Sequence, residues 1–344
     1  MPKKFVCLKK ETPSWENYDL SAPSSGEVQI RHQFGSEKHG TMMAFYKGYG
    51  NDRGRWDKER RIHVKNEGVL WDYPVPLGNM NVGVVEALGP GVTQFKTGDR
   101  VLAYGGFQPM ANKPADACWL LPANVPWESA VCLDPANYAL CAMRDGDLRV
   151  GDRLVVFGLG AIGLMCVQMG KICGAETIIA VDPITRRREV ALQTGATHAI
   201  DPLAGKTGEM IRELTGGLGA DVVVEYSGSA SAFQQALIGV AFGGTVVAGA
   251  FPPPYGTGLD FGGEAHMNRP RIIFSRSESD PNRDHPRWNY RRLLEASFSL
   301  ICRGQLDGRA LVDPVVPFDR LLEEYPKIAT QPQSNIKMGV RYGS

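Results

Sequence analysis

Two rhythms of apolar and polar positions divide the chain. Up to about residue 150 the apolar residues come in short runs broken by glycine and proline. Residues 27–31 (Glu-Val-Gln-Ile-Arg) alternate with the period of a half-buried strand, and residues 82–88, a Gly89-Pro90-Gly91-Val92 turn and residues 98–102 predict two strands joined by tight turns. This part is expected to be an antiparallel, barrel-like unit. From Gly151 the pattern changes to strand and helix in alternation. Residues 154–157, 177–181, 197–200, 221–225, 244–249 and 271–274 read as about six buried strands, the sign of a parallel doubly wound sheet. Residues 290–303 carry Leu293, Leu294, Phe298 and Ile301 at helical spacing, and Gly304 is placed to end that helix. The last forty residues return to short strands and turns, so the chain is expected to rejoin its first unit. The expected division is 1–148, completed by 305–344, and 149–304.

The stretch Leu154-Val155-Val156-Phe157-Gly158-Leu159-Gly160-Ala161-Ile162-Gly163 organises the second half. It reads as strand, tight turn and helix start. Gly158 allows the turn, Gly160 lets the backbone approach a pyrophosphate, Gly163 lets helix pack on strand, and the free N–H groups of the new helix, beginning with Ala161 and Ile162, face phosphate. The next strand ends in Asp182, 19 residues past Gly163, where a carboxylate accepts from an adenosine ribose diol. The pattern predicts a dinucleotide site. Asp182 repels a 2′-phosphate, so NAD is expected over NADP. Arg186-Arg187-Arg188 complicates this, because arginines near such a turn can bind a 2′-phosphate; the alternative is a solvated helix start with Arg187 against adenine. Ser227 and Gly228 follow the fourth strand, and Ala250 and Phe251 the fifth, where a nicotinamide ring is expected.

Composition narrows the partners. The 344 residues are 43% hydrophobic and 22% charged, and the 38 basic and 37 acidic side chains nearly cancel, which leaves no electrostatic footprint for nucleic acid or an anionic membrane. A small-molecule substrate is expected. The N-terminus has only four consecutive apolar residues before charge returns, too few for a signal peptide, and the longest weakly polar run, 237–251, is broken by four glycines. Seven cysteines form no CxxC pair and fit reduced thiols, so a cytoplasmic protein is expected.

In their order, these pieces resemble the medium-chain dehydrogenase/reductase family, in the branch of polyol, sugar and threonine dehydrogenases. The resemblance rests on Gly26-Glu27-Val28-Gln29-Ile30, Gly83-Val84-Val85-Glu86, Gly98-Asp99-Arg100-Val101, Leu133-Asp134-Pro135, the glycine turn, and residues 221–228, and it runs nearly end to end. It implies an α/β chain with a GroES-like β-barrel catalytic domain and a doubly wound Rossmann domain. It also implies hydride transfer in a cleft between the two, and a homodimer or homotetramer.

The departures matter as much. Zinc-dependent members hold the metal with Cys, His and Glu, and here those positions read His39, Asn79 and Met80. Asn79 is neutral and a thioether prefers softer ions, so neither catalytic zinc nor a structural zinc is expected; residues 104–118 hold a single cysteine in place of a four-cysteine lobe. By the resemblance, Thr41 aligns with the hydroxyl that bonds the substrate oxygen, and Asp134 stands where polyol dehydrogenases have a Glu. His39, whose imidazole has an unperturbed pKa of about 6.5, can act as base in oxidation and acid in reduction. Asn79 is a donor to substrate or to His39. Against these stand plainer roles: His39 as a hydrogen-bonded filler, Thr41 as a positioning group, Asp134 as a cap or turn beside Pro135, and Asn79 as a group that merely satisfies the site. The basic stretch 49–73, with Trp56 and Trp71, reads as a long excursion rather than core. The expected activity is a zinc-independent, NAD-dependent oxidation of a secondary hydroxyl of a sugar, cyclitol or related polyol, or the reverse ketone reduction. The alternatives are a reductase of an activated C=C bond or quinone, and a cofactor-binding protein without catalysis.

Overall fold

The computed structural model describes residues 1–65, 67–256, 258–279 and 281–343, with the side chains of His39 and Asp52 outside that description. In chain order the elements are β1 (Lys3–Lys9), β2 (Thr12–Asn17), β3 (Glu27–Ser36), α1 (His39–Lys47), β4 (Arg55–Asp57), β5 (Ile62–Val64), β6 (Val75–Pro76), β7 (Met80–Leu88), β8 (Arg100–Tyr104), β9 (Met110–Pro114), β10 (Cys118–Leu120) and α2 (Trp127–Ala130). There follow α3 (Leu133–Asp145), β11 (Arg153–Phe157), α4 (Ala161–Ile172), β12 (Thr177–Val181), α5 (Thr185–Thr194), β13 (His198–Ile200), α6 (Thr207–Leu214), β14 (Ala220–Glu225), α7 (Ala230–Gly239), β15 (Val240–Ala248), α8 (Glu264–Asn268), β16 (Arg271–Phe274) and α9 (Tyr290–Cys302). The chain closes with β17 (Val312–Pro317), α10 (Leu321–Thr330) and β18 (Lys337–Arg341). Among the described residues no helix is long and apolar enough to cross a membrane.

The chain forms two compact units, Met1–Val131 with Val312–Ser344, and Cys132–Leu311. The division falls at 131/132 and 311/312, not where the sequence rhythm changes near 149 and 305, because α3 packs against α4 and α9 and so belongs with the doubly wound unit.

In the first unit a seven-stranded sheet runs β10-β8-β7-β3-β18-β17, with β9 joined to β3, and β2-β1-β6 form a second sheet. All pairs are antiparallel except β17 with β18. The alternation that predicts β3 sends Val28, Ile30, His32 and Phe34 inward. Val28 and Ile30 pack with Val85, Phe95, Val101 and Ala103. Two expectations need correction. The stretch 49–73 does leave the core as a hairpin, β4 with β5, in which Trp56 meets His63 edge-on at 4.9 Å. Its end comes back: Trp71 packs edge-on against Phe45 at 4.9 Å, Tyr73 donates to the Phe45 carbonyl, and both join the core around Phe5 and Tyr325. The last forty residues also hold a ten-residue helix, α10, which buries Leu321, Tyr325 and Ile328 despite Pro326 inside it.

The second unit is a six-stranded sheet, β13-β12-β11-β14-β15-β16, every pair parallel. Numbered within the sheet this is 3-2-1-4-5-6, the doubly wound order, which puts the carboxyl ends of β11 and β14 side by side at the point where the winding reverses. Its central strands are covered on both faces, which is why they read as unbroken apolar runs.

His32 is the exception on the inner face of β3. It is 2% exposed, its Nδ1 lies 2.6 Å from the Gln108 carbonyl oxygen, and burial, with Lys113 adding to it, lowers its pKa to about 4. The unfolded imidazole takes a proton near its ordinary value of 6.5, while the folded one resists until about pH 4. Stability from this residue is complete above pH 6.5 and is lost as pH falls toward 4, by about 3 kcal/mol in total. Urea unfolding at pH 7.0 and 4.5 is expected to show a smaller acid loss in His32→Asn than in the wild type; equal losses would assign the acid sensitivity to other groups.

Candidate active site

The glycine turn is built as its sequence requires. Gly158 has φ +82°, and a Cβ there would stand 2.5 Å from the Ser227 amide nitrogen. A Cβ on Gly163 would lie 2.0 Å from the Gly158 carbonyl oxygen. Gly160 differs from both: an added Cβ meets no protein atom within 4 Å. That open space lies at the N-terminus of α4, where no side chain caps the helix. The N–H groups of Ala161, Ile162 and Gly163 have no acceptor within the helix, so the turn is a ready cradle for a pyrophosphate. The residues present therefore fit a dinucleotide.

Asp182 follows the last residue of β12 and is 3% exposed. One carboxylate oxygen accepts from the Leu159 N–H and the other from the Ile184 N–H, both at 2.8 Å, which ties the second strand to the glycine turn. The oxygen that accepts from Ile184 keeps a further lone pair for a ribose hydroxyl. Arg187 stands with its guanidinium 3.7 Å from that carboxylate, and burial lowers its pKa. Arg188 donates to the Asp182 carbonyl at 2.7 Å and pairs with Asp201 at 3.1 Å, and Arg186 is exposed.

Of the expected nicotinamide-side residues, Ser227, Gly228 and Ala250 come together at the ends of β14 and β15. A Cβ on Gly228 would sit 3.6 Å from the Ala250 Cβ, and Gly158 abuts Ser227; Phe251 points outward and is exposed. Glu225, which the sequence reading passed over, organises this corner. Its buried carboxylate accepts from the Ser227 N–H at 2.6 Å, the Gly228 N–H at 2.9 Å and the Ser227 hydroxyl, and its backbone carbonyl accepts from Gly249 and Ala250. Burial raises the Glu225 pKa, and those donors work against the rise. The signal was in the sequence: a carboxylate directly after three valines of a buried strand needs donors, and Ser-Gly supplies them.

The candidate catalytic residues divide between the units. In the first, β3 ends at Ser36, and α1 opens at His39 with Thr41, half-buried, in its first turn. The side chain of His39 lies outside the described residues. Asn79 is brought against the same loop: its N–H donates to the Ser36 carbonyl at 2.9 Å and its carbonyl accepts from Gly105 at 2.8 Å. The Asn79 amide nitrogen is buried and has no hydrogen-bond partner, a donor held in reserve. Met80, next in line, is fully buried as the first residue of β7. Asp134 belongs to the second unit, buried in the first turn of α3, where its charge suits the helix N-terminus; Cys132, not Asp134, is the N-cap residue. Among the described residues no three His, Cys, Asp or Glu side chains gather as a metal-binding group; His39's side chain is not among them.

A doubly wound unit with a phosphate cradle, in one chain with a β-barrel unit, is the make-up of a nicotinamide-dependent alcohol dehydrogenase. The family described as zinc-binding dehydrogenase matches residues 161–279, and the alcohol dehydrogenase GroES-like domain matches residues 53–123. The chain belongs to the medium-chain dehydrogenase/reductase family, and is an NAD(P)-dependent oxidoreductase acting on CH–OH groups. D-Guloside 3-dehydrogenase of Escherichia coli K12 is 38% identical over 350 residues, spanning 99% of this chain and all of that protein. (R,R)-butanediol dehydrogenase of Bacillus subtilis is 29% identical over 299 residues, 78% of this chain and 81% of that one. The crystal structure of 2R,3R-butanediol dehydrogenase from Bacillus subtilis shares the fold with a TM-score of 0.80 at 22% identity, covering 99% of both chains.

Proposed function

We propose that this protein is a zinc-independent, NAD-dependent dehydrogenase that oxidises a secondary hydroxyl of a sugar or related polyol, a glycoside hydroxyl before others, or reduces the matching ketone. The observation that carries the reading is the pair Asn79 and Met80. Zinc does not fit these positions: Met80 spends its thioether in the core, and Asn79 offers a neutral amide whose buried nitrogen is a donor, not a ligand. A hydrogen-bond donor can hold the charge that develops on a substrate oxygen.

NAD, when bound, takes the hydride from the carbinol carbon. The protein's part is to hold and deprotonate the alcohol. Thr41 bonds the substrate oxygen, His39 takes its proton, and Asn79 donates to the developing alkoxide. Gly158, Gly160 and Gly163, with the first turn of α4, hold the pyrophosphate; Asp182 holds the ribose diol; Ser227, Gly228, Ala250 and Phe251 border the nicotinamide. The commitment of Arg187 and Arg188 to Asp182 and Asp201 supports NAD over NADP. A homodimer or homotetramer fits β16, an edge strand with Phe274 exposed beside unpaired backbone.

The test is NADH or NADPH formation with D-gulosides, sugars, cyclitols and secondary alcohols, each with a strong chelator present. Turnover with NAD that the chelator leaves intact is expected. Activity that dies under chelation and returns with zinc would overturn zinc independence, and a clear preference for NADP would overturn the cofactor choice. Silence on every alcohol with turnover of enones or quinones would replace the reaction.

A further inference from the structure

The core of the first unit hides two residues that globular proteins rarely bury. Glu37 is 0% and Lys337 is 1% exposed. Taking either charge out of water costs several kcal/mol unless the site repays it with partners. One short segment, the link between β3 and α1, takes part in both burials. The Lys337 ammonium donates to the backbone carbonyl of Glu37, and the next residue on β18, Met338, accepts the Glu37 N–H at its own carbonyl, 3.3 Å away. Both polar groups of one backbone residue are thus held by consecutive positions of a strand 300 residues further along the chain.

A third side of the cluster is Tyr325 of α10, fully buried. Its hydroxyl is pushed up in pKa first by burial and next by the negative charge of Glu37. Tyr325 also meets Tyr46 edge-on at 5.4 Å, and Tyr46 lies in the last turn of α1. One cluster therefore grips α1 at both ends, two residues before His39 and one residue before Lys47. The helix needs such a grip. It has nine residues, no side-chain N-cap and no acidic residue in its first turn, and a helix that short does not hold its own position.

We infer that Lys337 is a positioning residue for turnover: by fixing the backbone of Glu37 it sets the entry of α1 and so the placement of Thr41 and His39. The inference rests on the reading that α1 carries the catalytic hydroxyl and imidazole. Lys337 does not need to touch substrate for this, and its effect is separate from cofactor binding, which belongs to the second unit.

The experiment uses the full chain as wild type, Lys337→Met, Lys337→Arg and the double variant Lys337→Met with Glu37→Gln. Hydrogen exchange of the amides of α1 and α4 is measured without ligand. Lys337→Met is expected to speed exchange in α1 about tenfold or more while α4 stays within about twofold. With NAD and the best alcohol, kcat is expected to fall about thirtyfold or more with the KM for NAD within about threefold, and Lys337→Arg to recover part of the loss. The double variant removes both charges, so its Tm is expected to return toward wild type; α1 exchange and kcat are expected to stay impaired, because the Glu37 carbonyl still lacks its donor. Recovery of all three in the double variant would make Lys337 a mere charge partner and overturn the proposal, as would unchanged α1 exchange in Lys337→Met. If Lys337→Met does not fold, the double variant carries the same comparison against wild type, since it too leaves the Glu37 carbonyl without its donor. A wild type inactive on every alcohol would sink the functional reading alone, and α1 exchange would still decide the positioning.

Discussion

Gly160→Ala is expected to raise the dissociation constant for NADH about 100-fold or more while the melting temperature stays within about 2 °C of wild type. The three glycines of the turn are not equivalent. Alanine at Gly163 drives a methyl to 2.0 Å from a backbone carbonyl, and alanine at Gly158 demands φ +82° and puts a methyl 2.5 Å from the Ser227 nitrogen. Those two substitutions disturb the fold itself, so a loss of cofactor there says little. Gly160 has φ −70° and ψ −172°, which any residue adopts, and its added methyl meets no protein atom within 4 Å. Its absent side chain matters only to something that approaches from outside. Fluorescence titration with NADH and a thermal melt of the same sample separate the effects. A dissociation constant that moves less than about fivefold would mean that the pyrophosphate does not lie on this turn.

The residues that sequence reading placed well are those whose reasons are local. A glycine turn must have its backbone angles wherever it is, and the central strands of the second unit are apolar because both faces are covered, so β11 to β16 were legible in number and as a parallel sheet. Asp182 was legible for the same reason, since the strand before it fixes where it emerges. What escaped depends on partners far away in the chain. The last forty residues read as short strands and turns, yet they hold α10, which buries Leu321, Tyr325 and Ile328 on one face; packing around Tyr325 overrides Pro326 inside the helix. Trp71 and Tyr73 looked like part of a basic loop until Phe45 covered them. Nothing in Ser36-Glu37-Lys38 or Ile336-Lys337-Met338 says that a glutamate and a lysine are buried together, because only the pairing of β18 beside β3 brings them into reach. The candidate catalytic residues stood between these cases. Asn79 could be named from its place in the pattern, but the unpartnered state of its amide became visible only with the loop from Gly105 packed over it.

His39→Asn is expected to lower kcat for alcohol oxidation by about 10²- to 10⁴-fold, measured under chelation, with the dissociation constant for NADH unchanged within about threefold. Asparagine keeps a polar group of similar reach at the head of α1 but cannot take a proton near neutral pH. If the imidazole is the base, oxidation needs it neutral, so the wild-type rate rises with pH through about 6.5, the ordinary histidine value, and that limb is absent from the residual activity of the variant. Ketone reduction runs the other way, needing the imidazolium and falling as pH rises. The opposed slopes separate a proton-transferring histidine from one that only fills the space left by a cysteine, since a filler shifts both directions alike and leaves their pH profiles in place. Turnover within a few-fold of wild type would remove the histidine mechanism and leave Thr41 to pass the proton to solvent. In that case the buried donor of Asn79 becomes the group that stabilises the alkoxide, and Asn79→Ala, which leaves no donor in that position, becomes the substitution with the larger loss of kcat.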